Sequence, residues 1–136
     1  MLNVGEYVFQ EEVKLSYGDG RYIIYITAII TRDGIAATIT GGEKPHVGGS
    51  ALSVPRPNNG GDNIDCDTWI TPRPGHKDSE VAALVSRMIC NDTGMTTAVI
   101  AGIHIDRAEK EEINRLIDNS RAAARLLTQK IKEFGG

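Results

Sequence analysis

The chain has 136 residues and a mass of 14.7 kDa, enough for one compact domain spanning 1–136 and too little for two. Hydrophobic residues make up 40% and charged residues 24%, and no apolar run approaches the roughly 18 residues that cross a bilayer, so no membrane partner is expected. A net charge of −3, with one Trp, four Tyr and two Phe, supplies neither the cationic patch nor the stacking platforms of a nucleic-acid binder.

The opening Met1-Leu2-Asn3-Val4-Gly5-Glu6 has no basic and apolar leader pattern, and the cytoplasm is the expected compartment. Cys66 and Cys90 form neither a CxxC pair nor a staple framework, which fits reduced thiols in that compartment.

In chain order, residues 7–17 alternate, with Tyr7, Phe9, Val13, Leu15 and Tyr17 on one parity and Gln10, Glu12, Lys14 and Ser16 on the other, a half-buried strand. Residues 21–32 follow the Gly18-Asp19-Gly20 turn as a run apolar on both parities, which predicts a central strand. Asp33-Gly34 is a two-residue type I′ hairpin signal, and residues 35–40 return as the third strand of an N-terminal meander. Short strands are predicted at 50–54 and 66–71, inside and after a stretch rich in glycine and proline.

Asp78 is placed as the N-cap of an amphipathic helix of about three turns, in which Val81, Leu84, Val85, Met88 and Ile89 share one stripe ahead of Gly94. Residues 95–105 are apolar on both faces until His104 and predict another central strand. Asp106 with Glu109 matches a capping box for a last helix, whose stripe Ile113, Leu116, Ile117, Ala124, Leu127 and Ile131 runs toward Gly135. At ~1.5 Å per residue that helix would be roughly 40 Å long, about the whole width of the globule, so its distal stripe is expected to need a second copy of the chain. The fold class is α+β: a mostly antiparallel sheet, beginning with a three-strand meander, packed with two helices, the C-terminal one long.

All three histidines lie at element ends. His76-Lys77-Asp78 and His104-Ile105-Asp106 each put an imidazole two residues before an expected N-cap, beside free backbone N–H groups and a positive helix end. Each corner could accept an anion, the first aided by Lys77 and Arg73; equally, Lys77 could be solvated and Asp78 only a cap. His46, His76 and His104 are candidate ligands for one metal ion, against the commoner role of hydrogen-bonded imidazoles. Gly41-Gly42 and Gly48-Gly49 flank His46 and could admit a phosphate or ring close to the backbone, or simply make turns. Ser50, Ser53, Cys66 and Cys90 lack a nucleophile-elbow context, and Cys90 reads as a small core residue. Asp62, Asp65 and Asp67 read as turn formers in a polar loop.

Three stretches together resemble the LpdD-like family of prenylated-flavin chaperones, accessory proteins of UbiD-type hydroxyarylic-acid decarboxylases. They are Thr40-Gly41-Gly42-Glu43-Lys44-Pro45-His46-Val47-Gly48, His76-Lys77-Asp78 heading a helix, and Ala101-Gly102-Ile103-His104-Ile105 followed by Glu112-Ile113. The resemblance implies a non-catalytic protein that binds reduced prenylated FMN, made by a UbiX-type flavin prenyltransferase, and passes it to the decarboxylase. By that analogy Gly41, Gly42, Pro45, His46, Gly48, His76, Lys77, Asp78 and His104 are the cofactor-site candidates. Residues 51–75 do not match the family pattern, so roles for Arg56 and Arg73 rest on charge alone. The alternatives are a small metal-dependent enzyme built on His46, His76 and His104 with a divalent ion, and a structural small subunit that binds no cofactor.

Overall fold

The structure is a computed structural model that describes residues 10–56 and 64–135. Its elements in chain order are β1 (Glu11–Tyr17), a 3-10 turn (Gly20–Tyr22), β2 (Ile24–Ile30), β3 (Gly34–Gly42), β4 (Gly49–Pro55), β5 (Cys66–Pro72), α1 (Asp78–Thr93), β6 (Thr96–His104) and α2 (Lys110–Gly135). The strands form one sheet in the order β1-β2-β3-β6-β4-β5, antiparallel at every step except the parallel pair β3–β6. The class is α+β with a mixed, mostly antiparallel sheet. The meander is present from Glu11 onward, and residues 7–9 of the expected first strand lie outside the described residues.

Period-two alternation decides which face is covered. Ile24, Ile26, Ala28 and Ile30 of β2 and Ile35, Ala37 and Ile39 of β3 turn inward and are buried, as are Val99 and Ala101 of β6. Both helices close this side: α1 lies on β4, β5 and β6, and α2 on β1 and β2. Val85 and Ile89 of α1 and Leu127 of α2 complete the core. β2 and β6 are central strands as expected, each between two neighbours, and Tyr25 and Ile29 of β2 and Ile100 of β6 stand exposed on the other face.

Four expectations are corrected. The β2–β3 connection is not a type I′ turn, because neither Asp33 nor Gly34 has a positive φ. The Thr31 hydroxyl instead accepts from the N–H groups of Asp33 (3.2 Å) and Gly34 (2.9 Å), and the Thr31 N–H donates to the Gly34 carbonyl (2.8 Å). The last helix starts at Lys110 rather than after Asp106, so the capping box moves one turn on. The Glu112 carboxylate reaches back to the Glu109 N–H at 3.1 Å. Leu127 and Ile131, in the distal stripe, are buried within the chain itself, so the length of α2 is no argument for a second copy.

The fourth concerns the cysteines, which form a disulfide between β5 and α1 rather than two thiols. The β4–β5 hairpin brings Cys66 to the edge that α1 covers, with its Cα 6.6 Å from that of Cys90. α1 itself runs longer than expected, sixteen residues, and Gly94 ends it in the left-handed region (φ 71) with its N–H on the Cys90 carbonyl at 2.8 Å.

Candidate functional site

The site grows from the ends of β3 and β6. Gly42 sits opposite His104 in the parallel register, and the chain then doubles back across β6. Glu43 N–H donates to the His104 carbonyl (2.7 Å), His46 N–H to that of Gly102 (3.3 Å) and Gly48 N–H to that of Ala101 (2.8 Å). Two glycines permit this crossing by absence of a side chain: a Cβ on Gly102 would overlap the His46 carbonyl, and one on Gly48 would overlap the Asp78 carboxylate. The Arg73 guanidinium ties the same loop down by donating to the Val47 carbonyl at 2.8 Å.

Asp78 is the hub, and its expected role as a cap is corrected. It is the first residue of α1 and is buried, with its side chain turned to β6 rather than onto its own helix; Lys77 holds the cap position and makes no side-chain cap bond. Asp78 Oδ1 accepts the Ile103 N–H at 2.9 Å, while Oδ2 lies 2.9 Å from His46 Nε2 and 3.7 Å from His76 Nδ1. His46 Nδ1–H donates to the Lys44 carbonyl at 2.8 Å. The His46 and His76 ring centroids are 5.1 Å apart, and those of His46 and His104 are 6.3 Å apart.

His104 belongs to a second, more exposed group. Its Nε2 is 2.9 Å from Asp106 Oδ1, and Lys44 Nζ is 3.1 Å from Asp106 Oδ2. The His104 bond and then Lys44 hold the Asp106 carboxyl below its ordinary value. Asp106 N–H in turn donates to Glu43, which faces Arg21, and Arg21 also reaches Glu112 at 3.3 Å. The Glu109 N–H, the Tyr22 hydroxyl (2.9 Å) and Arg21 together lower the Glu112 carboxyl.

A pocket of about 390 Å³ opens over these groups. Its polar end is His46, Gly75, His76, Lys77, Asp78, Glu80 and His104; its apolar wall is Val81, Ile103, Ile105, Ala108, Ile113, Leu116 and Ile117. Five of the nine sequence-nominated residues therefore line it. Gly41, Gly42, Pro45 and Gly48 are not in the lining, and the close approaches of Gly41, Gly42 and Gly48 are to Ile23, His104 and Asp78. Arg73 and Arg56 point elsewhere, to Val47 and to Asp67 (3.1 Å). The apolar wall was not nominated from sequence, where Val81, Ile113, Leu116 and Ile117 read as core stripe; Ile113 is in fact 46% exposed, and that surface faces the pocket.

Fold and site together define a small α+β domain with a single-ended pocket, imidazole and carboxylate at one end and aliphatic elsewhere. The chain belongs to the family of the prenylated flavin chaperone LpdD-like domain, whose sequence model matches residues 18–132. No curated protein matches it. Among solved structures it is similar to a chain of a chaperone complex for yeast 20S proteasome assembly, with a TM-score of 0.61, 10% identity and coverage of 93% of this chain and 98% of that one. At that identity the likeness is one of fold.

Proposed function

We propose that this protein is a non-catalytic chaperone that binds reduced prenylated FMN in the pocket between α1, β6 and α2 and delivers it to a UbiD-type decarboxylase. One observation carries the reading: a family of prenylated-flavin chaperones coincides with a pocket whose two ends differ as the two ends of that molecule do. Its volume lies within the roughly 300–1,000 Å³ usual for cofactor sites. The aliphatic wall suits a prenylated ring system. Lys77 and the N-terminal turn of α1 supply positive charge for the phosphate. His76, which approaches Asp78 only at 3.7 Å, lies at the same polar end.

Anaerobic purification after co-expression with a UbiX-type flavin prenyltransferase, followed by mass analysis of the released small molecule, tests the proposal. Stoichiometric prenylated FMN is expected. Lys77→Ala should reduce the amount retained while leaving the melting temperature unchanged, and a colourless parent protein under these conditions would overturn the reading.

A further inference from the structure

We infer that His46, His76 and Asp78 form a binding site for a divalent first-row transition-metal ion at the floor of the pocket. These three side chains come from a loop, a turn and a helix start, and their ligand atoms all lie within 4.8 Å of one another. Two donor atoms each about 2.1 Å from one ion, at right angles, lie roughly 3 Å apart. His46 Nε2 and Asp78 Oδ2 are 2.9 Å apart, and a small rotation of the His76 ring closes its 3.7 Å separation from the same oxygen.

The hydrogen bonds behind the three groups supply the independent argument. With Nδ1 on the Lys44 carbonyl, His46 turns its Nε2 toward Asp78 Oδ2, 2.9 Å away, rather than toward solvent. Backbone groups orient both partners as outer-shell partners orient metal ligands: a carbonyl fixes the His46 tautomer, and the Ile103 N–H occupies Asp78 Oδ1 and leaves Oδ2 facing the site. Two imidazoles and one carboxylate on one side of an ion leave its remaining positions open toward the cavity. His104, bonded to Asp106, is outside the set, so of the three candidate histidines two remain and Asp78 takes the place of the third. An ion here would offset the negative charge of Asp78 in a pocket proposed for an anionic ligand, but the site itself does not depend on the flavin reading.

The test therefore uses the metal alone. Protein purified without a nickel column and stripped with chelator is titrated anaerobically with Co(II), read by visible absorption and by calorimetry. One equivalent should bind with a dissociation constant in the micromolar range or below. His46→Ala and His76→Ala should each weaken it on the order of 10-fold or more. His104→Ala should leave it unchanged. Asp78→Asn keeps an oxygen for the Ile103 N–H, so it separates loss of the ligand charge from loss of the fold, and it should also weaken binding. Binding only at millimolar concentration, or equal affinity in the His46→Ala and parent proteins with native circular dichroism in both, overturns the inference. Metal binding without flavin binding would refute the proposed function and leave this site standing.

Discussion

Replacing Gly102 with alanine places a methyl group where the His46 carbonyl now lies. Gly102 is in the middle of the sheet, paired in parallel to Thr40 of β3, and cannot retreat without disturbing that pairing, so the His46 segment has to move instead. Two bonds are then lost, His46 N–H to Gly102 O (3.3 Å) and Gly48 N–H to Ala101 O (2.8 Å), for about 1–3 kcal/mol net. The strain of the added methyl in a packed site costs about 1–3 kcal/mol more. The variant should therefore be destabilised by about 2–6 kcal/mol, a fall in Tm on the order of 10 °C or more for a chain of this size. His46 also loses its 2.9 Å approach to Asp78, so ligand retention should fall further than stability does. Differential scanning calorimetry gives the first quantity, and Co(II) titration well below the variant's Tm gives the second. A variant with Tm within about 2 °C of the parent and unaltered Co(II) affinity would refute the claim that this contact sets the position of His46.

Three other outcomes are expected. Cys66→Ala/Cys90→Ala opens a loop of sequence separation 24, and the chain-entropy argument puts the loss at about 3.5 kcal/mol; urea denaturation with and without reductant should show the parent falling to the variant's level. Asp106 is held below its ordinary value of 3.8 in the fold, so its contribution to stability is present above that pH and disappears as the pH falls through the lowered value. Asp106→Asn should accordingly have a lower Tm than the parent near neutrality, with a difference that shrinks as the pH falls below 3.8, and a difference that stays constant on acidification would contradict the assignment. Ala108→Phe fills the apolar wall and should abolish flavin retention with a change in Tm of only a few degrees, measured by absorbance of the anaerobically purified protein.

Much of this architecture is visible in the sequence because the buried face of each strand recurs at every second residue, as in Ile24, Ile26, Ala28 and Ile30, and such a period admits few readings. What sequence leaves ambiguous is where a polar side chain spends its hydrogen bonds. Asp78 at a helix start looks the same whether it caps the helix or turns inward to a neighbouring strand, and only the approach of Ile103 decides it. Asp106 likewise looks like a cap, but His104 two residues before it and Lys44 from a distant segment draw its carboxylate, Arg107 takes a positive φ of 55, and the helix begins a turn later. The apolar pocket wall was hidden for a related reason: Ile113 and Leu116 continue a stripe whose later members are core, and periodicity does not tell a buried wall from an open one. Cys66 and Cys90 carry no local signal at all, because their meeting depends on how β5 docks beneath α1.

The parallel pairing of β3 with β6 bears on the order in which the molecule assembles. Its register joins Gly34 to Thr96 and Gly42 to His104, so the chain must close over everything in between before the centre of the sheet exists. Closure of so long a loop is an entropic cost met ahead of its reward, and topologies dominated by such contacts fold slowly. The β1–β3 meander and the β4–β5 hairpin can each form locally, and β6 is the piece that welds them together. His46 hangs from that weld and His104 terminates it, so the pocket arrives only with the final zipping of the sheet. A nascent or partly opened chain would then lack the pocket, which exists only once β3 and β6 have joined.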